Sequence, residues 1–393
     1  VSVSEFFAPG GALARAHEAY EHRPGQQRMS EEVARTLEDG GTLMIEAGTG
    51  TGKTLAYLVP AVATGRRVIV STGTRNLQDQ IYSKDIPFLR DRAGLDVSAC
   101  VMKGRDNYLC RYRMQEVERE PLLEDAREAP WLRHIAEWSR ATRTGDRAEI
   151  AGLPDRLRLW RDVNAKADTC TGSRCPEYDP CHLTQMKRRA QDSQIVVVNH
   201  HLFFADLAVR SAYGAVLPDY DRVIFDEAHL LEEIATLYFG VQVSSAQLED
   251  LARQAERLAA RAGGPASGGA GASRLRRAAA EFFTGLREVL HDGQGRVRFE
   301  PAQRGGPDLE GEWCALSEAL AELSREAERI GGAAERAESL PRRASDLRDA
   351  LARVLHREDP GFVYGMELRG RGSVTLSAAP IDVSALLRTA LFD

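Results

Sequence analysis

The run Glu46-Ala47-Gly48-Thr49-Gly50-Thr51-Gly52-Lys53-Thr54 constrains this 393-residue chain more than any other feature. Its glycines let the backbone curl round a triphosphate with the N–H groups turned inward. Lys53 is placed to reach the β- and γ-phosphates, and the Thr54 hydroxyl to meet Mg²⁺. The apolar run Thr42–Glu46 reads as a short strand entering the loop, and Leu55–Ala63 as the helix leaving it. That helix adds its positive N-terminal end to the phosphate site. Ala47 stands where the usual pattern opens with glycine, a small departure. A chance Gly/Thr turn would lack the flanking strand and helix.

A second acidic motif completes the arrangement. Asp226-Glu227-Ala228-His229 follows the apolar run Val223-Ile224-Phe225. Two carboxylates at the end of a parallel strand lie where open α/β sheets bind ligands. Asp226 can hold Mg²⁺ through its water, and Glu227 can orient and deprotonate the attacking water. His229 is expected to link the nucleotide site to a second ligand. Alone, the tetrapeptide could be a solvated helix start; paired with the loop, it reads as its catalytic partner. Upstream, Arg23-Pro24-Gly25-Gln26 offers an amide able to read adenine, or else a plain polar helix start with proline in its first turn.

Further strands are expected at Arg67–Ser71 and Ile195–Val198, with helices over 13–39 and Leu77–Tyr82. Strands alternating with helices predict an α/β fold, a P-loop NTPase with a parallel sheet covered on both faces. Two segments break the rhythm. Residues 106–184 are strand-poor, with 13 Lys/Arg against 15 Asp/Glu, so they form no basic block. Residues 236–356 carry helical periodicity over Leu248–Ala262, Arg274–Leu290, Trp313–Ile330 and Ala344–His356, as in a small bundle. Gly263–Ser273 reads as a linker between the first two. Strand character returns from Phe362, with a turn at Gly370–Gly372.

Four of the six cysteines are spaced like ligands: Cys110, then Cys170, Cys175 and Cys181. Four thiolates suit tetrahedral Zn²⁺ or an iron–sulfur cluster. Zinc knuckles use two tight pairs, which three close cysteines and one distant one match poorly. Cys100 alternates with Val97, Ala99 and Val101 as a core position, and Cys314 reads as helix packing. His182 is left out of the metal set. His200 and His201, after a strand, read as structural or DNA-facing. The net charge of −6 excludes a protein coated in positive charge, though not a narrow basic groove. No apolar run reaches the ~20 residues that span a bilayer. Free cysteines and the lack of a secretory start fit a cytoplasmic protein.

Together these motifs resemble the DinG/XPD-type iron–sulfur helicases of superfamily 2, above all the bacterial DinG/YoaA branch. The resemblance rests on Arg23–Gln26, Glu46–Thr54, Ser71-Thr72-Gly73-Thr74 with Leu77-Gln78, Lys103-Gly104-Arg105, Asn107-Tyr108 with Cys110, the cysteine trio, Val198–Leu202 and Asp226–His229. It implies a RecA-like first motor domain over 1–105, 185–235 and 357–393. An iron–sulfur domain would be inserted over 106–184 and an all-helical arch over 236–356. It implies a 4Fe–4S cluster on Cys110, Cys170, Cys175 and Cys181. It further implies ATP-driven 5′→3′ movement on single-stranded DNA, with forked or overhang duplexes unwound in repair or replication. By the same resemblance Arg23 and Gln26 serve the nucleotide, Gln26 at adenine, and Thr72, Thr74 and Gln78 lie near the DNA backbone. Tyr108 and Tyr112 could stack on bases, though packing is expected for at least one. Ser377-Ala378-Ala379-Pro380 reads as a strand end, so the chain is expected to stop before a second motor domain and to be inactive alone. The competing expectations are a zinc-bearing ATP-dependent switch and a nuclease-type translocase.

Overall fold

The computed structural model describes residues 2–17, 20–119, 128–155, 157–166, 170–213, 215–261, 270–289, 296–299, 309–331, 339–356, 359–369 and 373–392. They fall into two units: Val1–Ala165 with Cys175–Ile234, and Lys166–Arg174 with Ala235–Asp393.

The first unit is built on a parallel sheet. Val68–Thr72 (β1) is rich in β-branched residues and buried throughout, as a strand covered on both faces must be. Ala99–Val101 (β2), Ile195–Asn199 (β3) and Arg222–Phe225 (β4) complete the order β2-β3-β1-β4. Register sets Thr72 beside Asn199 and Ser71 beside Phe225, which aligns the C-terminal ends of three strands. Leu58, Val70, Ile81, Leu89 and Val197 share one core. Two helices, Pro24–Asp39 and Lys53–Ala63, pack on each other against it.

Two local expectations fail here. The helix expected over 13–39 is broken: Ala12–Ala16 ends early, and a new helix starts with Pro24 in its first turn. Proline lacks an N–H and disfavours helical backbone in the residue before it, so it opens a helix. Thr42–Glu46 forms no strand, and Met44 is 93% exposed. An apolar run becomes a strand only where a neighbour supplies ladder bonds, and β4 is paired with β1 alone among the described strands.

Between β2 and β3 lies a small subdomain with its own core, including Leu109, Met114, Ile135, Trp160 and Val163. Its helices are Arg111–Arg119, Ala129–Ala141 and Arg158–Val163, and the chain returns through the helix His182–Asp192.

The second unit is not all helical. Four helices, Ser245–Arg261, Ala270–Val289, Glu310–Gly331 and Ser339–His356, share a core with an antiparallel sheet. That sheet joins Val241–Ser244 (β5), Arg296–Arg298 (β6), Phe362–Arg369 (β7) and Ser373–Pro380 (β8) in the order β5-β8-β7-β6. Phe362–Arg369 and Ser373–Pro380, expected in the first motor domain, pair within this sheet, and Ser377–Pro380 ends β8. Of the expected linker, Ala270–Ser273 begins a helix, and the rest lies outside the described residues, as does the turn at 370–372. Cys314 is exposed on its helix rather than packed.

Candidate functional site

The phosphate loop closes onto the helix Lys53–Ala63. Gly50 and Gly52 adopt φ of +77° and +79°, backbone that L side chains rarely enter. Gly52 ends the turn, and Lys53 starts the helix with free N–H groups facing the loop. The Thr51 hydroxyl donates to the Gly48 carbonyl at 2.9 Å. Two side chains expected to serve the nucleotide reach the loop's backbone. The Arg23 guanidinium donates to the Gly50 carbonyl. The Gln26 amide, on a side chain largely buried, donates to the Gly52 carbonyl at 2.9 Å.

Opposite the loop, β4 delivers the acidic pair. The Asp226 N–H donates to the Ser71 carbonyl at 2.8 Å, which continues the ladder past Phe225. Glu227 then turns into left-handed backbone at φ 59°, the sole non-glycine at positive φ among the described residues. Such strain at a carboxylate is a mark of functional sites. The turn brings the Glu227 carboxylate 3.6 Å from the Lys53 ammonium and 3.5 Å from His229 Nδ1. Burial pushes the Asp226 carboxyl up, the neighbouring Glu227 charge adds to the rise, and Lys53 opposes it.

Two groups beneath this pair, Tyr57 and Asp85, escaped sequence reasoning, and a third, His200, is the histidine read from the sequence as structural or DNA-facing. Tyr57 lies one helical turn beyond Lys53. It is 3% exposed, and its hydroxyl has no hydrogen-bond partner. Burial and then Asp226 raise its pKa, while the Thr54 hydroxyl lowers it. Asp85 sits where the helix begun at Arg75 widens into π-type turns over Ile81–Asp85. Burial pushes its carboxyl up to about 6, the Gln80 side chain holds it down, and Asp226 adds to the rise. Its Oδ2 is buried without a partner. His200, fully buried, meets the Ser71 hydroxyl through Nδ1 at 2.7 Å, and burial lowers its pKa to about 4. Spacing four residues after Lys53 could have flagged Tyr57; no sequence signal marks Asp85.

A hard cation takes oxygen ligands. The Thr54 hydroxyl and Asp226 carboxylate, with the orphaned Tyr57 oxygen between them, match that chemistry.

The expected DNA-backbone residues divide. Thr74 is exposed and caps the helix Arg75–Gln80 by accepting the Leu77 N–H at 3.2 Å. Thr72 and Gln78 are buried; the Gln78 amide donates to the Met102 and Val197 carbonyls at 2.6 and 3.1 Å, tying loop to sheet rather than facing solvent. Tyr108 is buried too, its hydroxyl accepting the Lys103 N–H at 3.1 Å, so it is no stacking platform.

Cys110 and Cys181 each stand immediately before a helix, Arg111–Arg119 and His182–Asp192. Burial pushes the Cys110 thiol up and the Arg113 N–H pulls it down. The charges of Cys181 and Cys175 lie near enough to raise it further. Glu177 pins the turn between those two by accepting from Arg111 at 3.1 Å and Gln115 at 2.9 Å. Cys170 is exposed and falls in the segment assigned to the second unit. Among the described residues no group of three or more His, Cys, Asp or Glu has metal-holding geometry.

The DEAD/DEAH box helicase family matches residues 23–119. ATP-dependent DNA helicase YoaA of Escherichia coli is 34% identical over 97% of this chain and 59% of its own length. ATP-dependent helicase DinG of Mycobacterium tuberculosis is 34% identical over 63% of the chain and 40% of its own. 3′-5′ exonuclease DinG of Bacillus subtilis is 33% identical over 60% of the chain and 25% of its own. The chain thus spans 59% or less of the length of these relatives. With the phosphate-loop Lys53 facing Glu227, the chain carries a DEAD/DEAH-box helicase domain and is similar to the helicases named YoaA and DinG.

Proposed function

We propose that this chain is the nucleotide-binding part of an ATP-dependent helicase that moves 5′→3′ along single-stranded DNA and unwinds forked or overhang duplexes in repair or replication. The observation that carries the reading is the pocket in which Lys53 stands 3.6 Å from Glu227. Mg²⁺, when bound, neutralises charge developing on the phosphates. Thr54 and Asp226 are the residues to hold it. Lys53 binds the β- and γ-phosphates, Glu227 takes the proton of the attacking water, and His229 relays the state of Glu227 toward DNA. Thr74, exposed at a helix start, suits a sequence-independent phosphate contact.

The cysteines are read as ligands of a 4Fe–4S cluster: Cys110, Cys170, Cys175 and Cys181. Cys110 and Cys181 stand at helix starts, and the charges of Cys175 and Cys181 act on Cys110, which supports a shared thiolate site. Closing and reopening on ATP takes a second motor domain, so residues 1–393 alone are expected to bind ATP and DNA weakly, with little hydrolysis.

The test uses a protein of the relatives' full length. Single-stranded DNA should stimulate its ATP hydrolysis, and duplexes with a 5′ tail should be unwound. Unwinding of 3′-tailed duplexes alone would reverse the polarity. A colourless, zinc-only preparation made without oxygen would replace the cluster by the zinc switch. The exonuclease named among the relatives favours a nuclease-type translocase as the second reading, and DNA shortening without ATP would support it.

A further inference from the structure

We propose that Tyr57 and Asp85 are positioning residues for the Mg²⁺ that accompanies the nucleotide, a role resting on the ATP reading above. The Tyr57 hydroxyl is buried and makes no hydrogen bond of ordinary geometry, while Thr54 and Asp226 stand near enough to act on it as hydrogen-bonding neighbours and Asp85 acts through its charge. Burying a hydroxyl with no partner is unfavourable, so its persistence needs an explanation. Two of those neighbours are the groups assigned to the metal.

When Thr54 gives a lone pair to a cation, its own O–H must point elsewhere, and the Tyr57 oxygen is the acceptor on hand. The Tyr57 O–H can then donate to Asp226. One phenol so links both metal-holding side chains and orders them together. Asp85 supplies what that bridge lacks. Its Oδ2 is buried and unpartnered, and it acts electrostatically on both Tyr57 and Asp226. Mg²⁺ keeps several waters in nucleotide sites, and their protons need acceptors. An unpaired carboxylate oxygen beside Asp226 is one. The π-type turn over Ile81–Asp85 is the local irregularity that puts it there, and such turns collect at functional sites.

The test separates metal positioning from folding. Tyr57→Phe keeps the ring and loses the oxygen; Asp85→Asn keeps the shape and loses the charge. A fluorescent ATP analogue is titrated with Mg²⁺ and with EDTA, and melting is followed alongside. The parent protein should bind more tightly with Mg²⁺. In each variant that gain should shrink by about tenfold, as for loss of a hydrogen bond to a charged group. Affinity in EDTA should stay as in the parent. Asp85→Glu should recover part of the gain. Variants whose Mg²⁺ titrations overlay the parent's, or that lose affinity equally in EDTA, overturn the proposal while leaving the ATP reading intact. A parent that gains nothing from Mg²⁺ overturns both.

Discussion

The Lys53 ammonium lies 3.6 Å from the Glu227 carboxylate, so without nucleotide the phosphate-binding cation leans on the proposed general base. Both side chains are about a third exposed or less. A γ-phosphate would draw Lys53 away and leave Glu227 free to take a proton. Glu227→Gln removes that base while keeping its shape. Hydrolysis by the intact protein should fall by about 10²–10⁴-fold, with ATP affinity kept or improved because Lys53 loses a competing partner. Phosphate release and nucleotide titration measure the two effects. Weaker binding in this variant would refute the arrangement.

Gly52 is held at φ +79°, and a Cβ there would stand 2.1 Å from the Gln26 amide nitrogen. Gly52→Ala should therefore displace Gln26 and spoil the loop. The expected cost is about 1–3 kcal/mol of strain and at least tenfold in nucleotide affinity. Calorimetric titration checks this, and normal affinity would show that the loop tolerates a side chain.

Lys103 is 5% exposed and sits between two carboxylates, Asp79 at 2.6 Å and Asp146 at 2.7 Å. It ties the helix after β1 to the cysteine subdomain. Lys103→Met leaves the largely covered Asp146 carboxylate without its cation, which should destabilise the first unit by about 1–3 kcal/mol. The added change Asp146→Asn should restore part of that in urea melts. A double variant no more stable than the single one would argue against the triad.

His200 titrates far from its ordinary value, near pH 4, because it is buried neutral. The unfolded chain takes up this proton near pH 6.5, the folded chain only near 4. Its contribution is thus whole above about 6.5 and fades as pH falls toward 4. At most about 1.4 kcal/mol per pH unit is involved. Asp85 acts in the opposite sense: its contribution is present below about 3.8 and lost as pH rises through 6. The difference between the parent and His200→Asn isolates the histidine. Over pH 4–6.5 the variant's stability should rise less steeply with pH, as read by denaturant melts. Parallel curves would mean that His200 carries its proton in the fold.

Cys170→Ser should abolish visible absorbance and unwinding yet leave DNA-stimulated hydrolysis, because the nucleotide pocket contains no cysteine. Iron analysis with an ATPase assay tests this. Retained iron would remove Cys170 from the ligand set.

The phosphate loop, the acidic tetrapeptide and the helices of the second unit were legible because their signals are local. Glycine spacing sets backbone, and apolar residues at three and four positions set an amphipathic face. Thr42–Glu46 had an equally clear strand pattern and formed no strand, because pairing needs a neighbour that local pattern does not report. Strand character from Phe362 and again over Val374–Leu376 read correctly, but the outer partners β5 and β6 are far away in sequence.

By itself the sequence determined the chemistry of the nucleotide site: glycine turns, an ammonium, a hydroxyl and two carboxylates, each demanded by triphosphate and metal. Only the tertiary structure decided which polar groups share that pocket. Burial removed Gln78 and Tyr108 from the solvent-facing set, and turned Gln26 onto the loop's own backbone. It also drew Tyr57, Asp85 and His200 in beneath Asp226, since desolvation and proximity are properties of packed neighbours rather than of spacing along the chain.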